Sequence, residues 1–320
     1  MPYRVLIPED ITDAGKRYLL DRGYQIKMGT GSSEEQICRD VADCDAILAR
    51  TAVYTRKILE AGKKLKVIGR HGVGTDNIDL AAATELGIQV TNAPDSNANS
   101  VAEHTIALIL ACASHLVSMD RYCRRGLWQN RTGLTTTEVR GKTLGIVGVG
   151  KTGRLVAEMA MNGLGMDVVA YNHRPKPLPP GIQPAKSMEG VFSSADFVSL
   201  HIPATPQTVD SVGRSLFRLM KSSAFFINCS RGRIVREQDL YTALSEHWIQ
   251  GAALDVFRRE PPGPDNPLFA LDNIIVSPHN AGLSDAAQDR MGLDAARGID
   301  EVLSGRAPTW PVNRPAARRE

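Results

Sequence analysis

The chain has 320 residues, of which 42% are hydrophobic and 23% are charged, and its formal net charge is +3. This composition is that of an ordinary globular protein, and the length is enough for about two domains. Lysine and arginine are scattered, apart from Arg314, Arg318 and Arg319 near the end of the chain, so we expect no nucleic-acid surface.

The number and spacing of the cysteines and the lack of long apolar runs indicate the cellular environment in which we expect the protein. The five cysteines are odd in number and lack the spacing of a disulfide framework or a zinc site, so we expect a reducing environment and no metal. No apolar run approaches the length of a membrane span, and the first residues run into a strand-like stretch rather than a signal peptide. We therefore expect a cytoplasmic protein with no membrane partner.

The first hundred residues alternate strand-like and helix-like stretches, which is the pattern of a parallel α/β sheet. A long helix rich in Ala and Leu is then predicted over residues 100–124. The predicted strands cover residues 4–7, 24–28, 46–49, 66–68 and 89–91, and the predicted helices cover residues 11–21, 33–41, 55–61 and 80–86.

A second α/β series begins at Thr143. Proline-rich loops are predicted at residues 174–184 and 260–267, and a final helix at residues 284–304. The closing segment, residues 308–313, has no obvious seventh strand, and we expect it to return to the first domain. Six strands are predicted in this series, over residues 143–147, 167–171, 196–200, 224–228, 251–254 and 273–276.

A glycine-rich fingerprint lies between the first strand of the second series and the helix that follows it. In Gly148-Val149-Gly150-Lys151-Thr152-Gly153, the first glycine makes the tight turn and the second lets the backbone approach a pyrophosphate. The third glycine lets helix and strand pack closely, and the helix N-terminus offers free N–H groups to the phosphates. The sequence context therefore predicts a dinucleotide site.

The identity of the dinucleotide depends on the end of the next predicted strand. An Asp or Glu about 20 residues past the glycines would accept the ribose hydroxyls of NAD. Asn172 occupies that place, and Arg174 follows two residues later. An arginine beside a missing acid suits a 2′-phosphate, so the residues favour NADP(H) over NAD(H) without excluding NAD(H).

Three residues of catalytic type follow three successive predicted strands. Arg231 lies in Asn228-Cys229-Ser230-Arg231-Gly232, Glu260 just past the next strand, and His279 just past the one after. Ligands of doubly wound sheets bind at these strand ends. Singly, each residue could cap a strand, face solvent or pack in a loop, but their convergence favours a catalytic site.

These stretches resemble the D-isomer-specific 2-hydroxyacid dehydrogenase family, in particular its phosphoglycerate dehydrogenase-like members. The similar motifs span nearly the whole chain in a fixed order. They cover residues 69–79, 99–104, 141–148, 228–232 and 277–282.

The resemblance implies two doubly wound α/β domains, with a Rossmann nucleotide-binding domain (residues 100–288) inserted in a flavodoxin-like substrate domain (residues 1–99 and 289–320). It also implies a homodimer, and it makes Arg231, Glu260 and His279 the catalytic trio. The cofactor-binding residues expected are Gly148, Gly150, Lys151, Thr152, Gly153, Asn172, Arg174, Pro203, Cys229, Ser230, Asp255 and Gly282.

The residue types suit the reduction of a 2-oxo acid, which needs a hydride at C2 and a proton on the carbonyl oxygen. His279 can donate that proton, Glu260 would favour the imidazolium, and Arg231 would hold the carboxylate and polarise the carbonyl. The backbone N–H groups of Val73 and Gly74, in a glycine-rich turn, are a second candidate for binding the carboxylate; the other interpretation is a tight loop.

The substrate remains open between two alternatives. Arg50 and Arg70 follow neighbouring predicted strands and could bind the phosphate of 3-phosphoglycerate, although pairing with carboxylates explains them equally well. The Asn172 and Arg174 pair is more like the NADPH-dependent hydroxypyruvate and glyoxylate reductases of the family. Glu260 disfavours a formate dehydrogenase, in which Gln would stand at this place. A function of another class, an NAD-sensing corepressor that binds partner proteins, is also compatible with the trio.

Overall fold

The computed structural model describes residues 2–133 and 135–317, and the chain divides into two compact units. The first unit comprises Met1–Asn97 and Leu283–Glu320, and the second comprises Ala98–Gly282. The roles given to the two units, substrate domain and nucleotide domain, remain predictions.

The sheet of the first unit has five parallel strands in the order β2-β1-β3-β4-β5, which is the flavodoxin-like order. All four residues of β3 are buried because helices cover both faces of the sheet, as in other parallel sheets. The strands are β1 (Arg4–Ile7), β2 (Gln25–Met28), β3 (Ala46–Ala49), β4 (Val67–Arg70) and β5 (Gln89–Thr91), and the helices between them are α1 (Asp13–Leu20), α2 (Glu34–Val41), α3 (Arg56–Ala61) and α4 (Leu80–Glu85).

The single helix predicted over residues 100–124 is wrong. Two helices, α5 (Ala98–Ala113) and α6 (Leu116–Arg124), meet at an angle of 61°. His115, between them, adopts a left-handed backbone conformation with φ of 50°, which ends the right-handed helix. No Gly or Pro marks this break, so the sequence pattern did not reveal it. A 3₁₀ helix (Trp128–Gly133) follows α6.

The sheet of the second unit has seven strands rather than six, in the order β12-β11-β10-β9-β6-β7-β8. Counted from β6, this is the Rossmann order with one added strand, and it confirms the predicted fold class. The strand that the sequence pattern did not predict is β8, which lies at the sheet edge within the stretch predicted as a proline-rich loop. The strands are β6 (Thr143–Val147), β7 (Asp167–Tyr171), β8 (Ile182–Pro184), β9 (Phe197–Leu200), β10 (Phe225–Asn228), β11 (Gly251–Leu254) and β12 (Ile274–Val276).

Strand β8 escaped the sequence pattern because it is short and follows several prolines. It pairs with β7 alone, with Ile182 opposite Val168, and Pro184 is tolerated because the strand is at an edge. The helices of this unit that follow β6 are α7 (Lys151–Leu164), α8 (Met188–Ser194), α9 (Arg214–Phe217) and α10 (Glu237–Ser245), with short 3₁₀ helices at Gly232–Ile234 and Pro267–Ala270.

The chain returns to the first unit through the last helix, α11 (Asp285–Leu303). Beyond it, Thr91 and Pro311 form an antiparallel bridge, and the Val312 N–H donates to the carbonyl of Val90 at 2.8 Å. The side-chain oxygen of Asn313 accepts from the Val90 N–H at 2.7 Å. The closing segment thus lies along β5.

Among the described residues, no single helix is long and apolar enough to cross a bilayer, although the bent pair α5 and α6 would meet that test together by length and composition alone.

Candidate active site

Two of the three predicted catalytic residues are in direct contact. Nδ1 of His279 donates to Oε2 of Glu260 at 2.6 Å, and the other carboxylate oxygen accepts from the Phe257 N–H at 2.9 Å. Both oxygens of Glu260 are therefore engaged. Because Nδ1 is bound, Nε2 is the ring nitrogen of His279 that is left to meet a substrate.

The electrostatics of this pair favour the charged form of both partners. The hydrogen bond to Glu260 raises the pKa of His279 above its ordinary value against the effect of burial, and the negative charges of Glu260 and Asp255 act in the same direction. Burial alone would raise the pKa of Glu260, but the hydrogen bonds from His279 and Phe257 and the charge of Arg231 lower it. Both shifts therefore favour an imidazolium beside a carboxylate over a neutral pair.

Arg231 is presented by a tight turn at the end of β10. The buried side chain of Asn228 accepts from the Ser230 N–H and hydroxyl at 3.0 and 2.8 Å, and donates to the Arg231 carbonyl at 3.1 Å. A Cβ on Gly232 would lie 1.9 Å from the Phe257 carbonyl carbon, so only glycine fits there. The turn is therefore held from both sides.

The parallel sheet brings the three catalytic candidates to one edge. Strand β11 lies between β10 and β12, with Asn228 opposite Leu254 and Leu254 opposite Val276. Arg231, Glu260 and His279 follow the ends of these three strands, and both Glu260 and His279 feel the charge of Arg231. The three residues thus form one cluster, at the carboxyl edge of the sheet of the second unit.

The glycine-rich loop has the shape that the fingerprint requires. Gly148 has φ of +98°, and a Cβ there would lie 2.6 Å from the His201 carbonyl oxygen. A Cβ on Gly153 would lie 2.1 Å from the carbonyl oxygen of Gly148, so loop and helix α7 touch. A Cβ on Gly150 would meet nothing within 4 Å, which leaves open space beside the backbone at the start of α7. This space fits a dinucleotide pyrophosphate.

Asn172 is attached to this loop. Its side-chain oxygen accepts from the Val149 N–H at 2.7 Å, while its Nδ2 is buried and has no hydrogen-bond partner among the described residues. His173, Arg174 and Lys176 follow it and are exposed. A buried amide N–H₂ without an acceptor is unusual in a folded protein, so this group fits an acceptor on a bound ligand.

The remaining residues predicted to bind the cofactor lie in the second unit and differ in how deeply they are buried. Cys229 is buried, and burial raises the pKa of its thiol to about 12, so it offers no thiolate. Asp255 is fully buried, whereas Pro203 is exposed just after β9. Lys151 and Thr152 begin helix α7, and Gly282 ends the loop that carries His279.

The candidates of the first unit lie at the carboxyl edge of its sheet. Ala49 pairs with Arg70, so Arg50 and Arg70 end adjacent strands. Burial and the positive charges of both arginines lower the pKa of His71, which follows Arg70, to about 4. Arg50 donates to the Asp10 carbonyl at 2.9 Å, and Arg70 donates to the His71 carbonyl.

The glycine-rich turn of the first unit presents two backbone donors. Asn92 donates to the Val73 carbonyl at 2.7 Å and the Ala93 N–H to the Gly72 carbonyl at 2.9 Å, which fixes the turn. Within the described part of the chain, the N–H groups of Val73 and Gly74 have no backbone acceptor. They are available to an anion such as a carboxylate.

Comparison with known proteins agrees with this geometry. Residues 106–281 match the family model for the D-isomer specific 2-hydroxyacid dehydrogenase NAD binding domain. A glyoxylate reductase from Korarchaeum cryptofilum is 38% identical over 291 residues, with 88% of this chain and 86% of that protein aligned. The chain belongs to the D-isomer specific 2-hydroxyacid dehydrogenase family.

Two further comparisons extend the likeness to nearly the whole chain. A D-3-phosphoglycerate dehydrogenase from Methanocaldococcus jannaschii is 39% identical over 99% of this chain, which spans about 60% of that relative's length. The crystal structure of the TT0316 protein from Thermus thermophilus superposes with a TM-score of 0.89 at 35% identity, covering 97% of this chain and all of that one. As a member of this family, the protein carries a nicotinamide dinucleotide-binding domain.

The sequence pattern predicts candidate site residues but does not reveal the groups that hold them in place. Asn228 lies within one of the sequence motifs, and its buried amide shapes the turn before Arg231. A polar residue closing an otherwise apolar strand is the signal that could have indicated this role. The Phe257 N–H that binds Glu260 carries no such signal, because a backbone donor leaves no mark in the sequence.

Proposed function

We propose that this protein is an NAD(P)-dependent D-2-hydroxyacid dehydrogenase that transfers a hydride between nicotinamide and C2 of a small 2-hydroxy or 2-oxo acid. The observation that carries the proposal is the 2.6 Å contact between His279 and Glu260, beside Arg231. A histidine whose pKa is raised by a carboxylate suits an acid that must remain protonated near neutral pH.

The three residues have distinct parts in the proposed reaction. The reduced nicotinamide, when bound, supplies a hydride to C2. His279 gives the proton on Nε2 to the carbonyl oxygen. The 2-oxo acid thus gains one hydride, which carries two electrons, and one proton, and it becomes the 2-hydroxy acid. Glu260 keeps the imidazolium charged and oriented through Nδ1. Arg231 binds the substrate carboxylate and polarises the carbonyl.

The proposed substrate is a small acid, and we favour 3-phosphoglycerate as the hydroxy acid. Arg50 and Arg70, at adjacent strand ends, supply two positive charges for a phosphate, and their combined effect on His71 supports a positive local potential. The N–H groups of Val73 and Gly74 are the proposed donors to the substrate carboxylate.

A second candidate is an NADPH-dependent hydroxypyruvate or glyoxylate reductase. It is favoured by Asn172, whose uncharged amide stands where a carboxylate would select NAD, and by the exposed Arg174 beside it. We propose NADP(H) as the preferred cofactor. The proposed contacts to it are made by the cofactor-binding residues given in the sequence analysis.

We also propose a cytoplasmic homodimer. Helix α6 has no buried residue, and Leu110, Leu116, Val117, Leu127 and Trp128 are exposed apolar side chains within one stretch of the second unit. Such a concentration of exposed apolar surface supports burial against a second copy. The cytoplasmic setting is supported by the five free cysteines. Light scattering of the purified protein tests the dimer.

Initial rates test the proposed activity, with NADH and NADPH each paired with hydroxypyruvate, glyoxylate and pyruvate, and NAD⁺ and NADP⁺ paired with 3-phosphoglycerate. We expect turnover with at least one pair, and a loss of about 10²–10⁴-fold in His279→Ala with little change in cofactor affinity. His247→Ala, at an exposed histidine of the same unit, is the matched control. Cofactor binding without turnover of any acid would refute the dehydrogenase proposal and favour the corepressor-like alternative.

A further inference from the structure

A buried carboxylate organises the loop that carries His279. Asp255 follows β11 and is fully buried. Its Oδ1 accepts from the Ser277 hydroxyl at 2.6 Å and from the Asn280 N–H at 3.0 Å, and its Oδ2 accepts from the Ala281 N–H at 3.0 Å. Its backbone carbonyl accepts from the His279 N–H at 2.8 Å. The residues on both sides of His279 are therefore attached to Asp255.

Helix α5 contributes a histidine to the same network. Nε2 of His104 lies 3.1 Å from the Ser277 hydroxyl oxygen and 3.8 Å from Oδ1 of Asp255. Ser277 has one hydroxyl proton and gives it to Asp255, so its oxygen must accept from His104. The contact therefore requires the tautomer of His104 that carries a proton on Nε2. His104 and Ser277 belong to two different motifs of the sequence, and neither has a role in the reaction as proposed above.

The loop needs such support because its backbone conformation is unfavourable. His279 has φ of 51°, in the left-handed region that residues with a Cβ rarely adopt. A strained residue persists only where its surroundings hold it. By donating to Ser277, His104 directs the serine proton to Asp255, and each hydrogen bond in such a chain strengthens the next.

We propose that His104 is a positioning residue, which acts through Ser277 and Asp255 to hold the His279 loop in the conformation that places the imidazole against Glu260. The inference rests on the proposed function for its kinetic consequences, while the hydrogen-bond chain itself stands on the contacts of the second unit. The competing explanation is that His104 only packs against its neighbours. Replacing it with a flat ring that has no N–H distinguishes the packing role from the hydrogen-bonding role.

The kinetic test compares His104→Phe, which keeps a flat ring but loses the donor, with His104→Gln, whose amide retains an N–H at a similar reach. We expect His104→Phe to lower kcat about tenfold, because small displacements of an acid slow proton transfer, with KM for the 2-oxo acid and Kd for NADPH within about twofold. We expect His104→Gln to stay within about threefold of the original protein. His247→Phe is the control for introducing an aromatic ring.

Ser277→Ala provides a second route to the same network. Because both residues act through one chain of contacts, the double variant with His104→Phe should be no slower than the slower single variant. Equal kcat in His104→Phe and the original protein, equal losses in the Phe and Gln variants, or additive losses in the double variant would each overturn the inference. Thermal unfolding of each variant shows whether it is folded.

Nitrogen NMR of the histidine rings gives a readout that does not depend on turnover. We expect the Nε2-protonated tautomer at His104, and a change in the His279 ring signals in His104→Phe but not in His247→Phe. If the unmodified protein reduces no 2-oxo acid, the proposed function fails, and these spectra still decide the inference. An Nδ1-protonated His104, or unchanged His279 signals in His104→Phe, would refute it.

Discussion

Replacing Glu260 with Gln probes the centre of the proposed mechanism with almost no change in shape. Glu260 uses both oxygens as acceptors, from Nδ1 of His279 and from the Phe257 N–H. Glutamine has one acceptor oxygen in their place, so one of the two contacts becomes donor against donor as long as Nδ1 carries a proton. The uncharged amide also no longer stabilises the imidazolium.

The magnitude follows from the exposure of the pair. A hydrogen bond to a charged partner contributes about 1.5–3 kcal/mol. His279 keeps 50% of its side chain exposed, and solvent screening places its bond to Glu260 at the lower end, about 1.5 kcal/mol. At one factor of ten for each 1.36 kcal/mol, we expect kcat/KM for reduction to fall about tenfold near neutral pH.

The pH dependence gives the sharper test, and its sign follows from the raised pKa of His279. Reduction needs the protonated ring, so its rate falls as the pH rises through this pKa. In Glu260→Gln the fall should begin at a lower pH, and oxidation, which needs the neutral ring, should stay active to a lower pH. The assay is kcat/KM against pH in both directions, with Glu189→Gln as a surface control. Profiles that superimpose on those of the original protein would refute the assigned role of Glu260.

Three other variants test the cofactor loop and the arginine turn. Asn172→Asp with Arg174→Ala should move the ratio of kcat/KM values toward NADH, and an unchanged ratio would contradict our interpretation of this strand end. Gly153→Ala should lower the free energy of unfolding by about 1–3 kcal/mol and weaken NADPH binding, because its Cβ would lie 2.1 Å from a loop carbonyl. The control is Gly163→Ala, in the same helix with open space around it, which should change neither the free energy of unfolding nor NADPH binding. Asn228→Ala should lower the urea-unfolding free energy by about 3 kcal/mol, at about 1 kcal/mol for each of its three hydrogen bonds. An unchanged unfolding midpoint would remove Asn228 as the support of the turn.

Much of the fold could be predicted because parallel sheets leave strong local patterns. Strands such as β3 and β11 are short, wholly buried apolar runs, so each is visible within its own few residues. Strand β8 and the break between α5 and α6 were missed for physical reasons. An edge strand with one neighbour needs little apolar character, and the left-handed turn at His115 uses a residue that carries no turn signal.

The chemistry available to this protein can be derived from its residue types and their spacing. The spacing of the glycines, the absence of a carboxylate at Asn172, and the order of Arg231, Glu260 and His279 depend on residue type and position alone. Which of these groups are in contact depends on how the chain folds in three dimensions. His279 and Glu260, in contact at 2.6 Å, are 19 positions apart in the sequence. In the hydrogen-bond chain from His104 to Asp255, His104 is 151 positions from Asp255 and further from Ser277. Such contacts are set by strand order and loop geometry rather than by any local pattern.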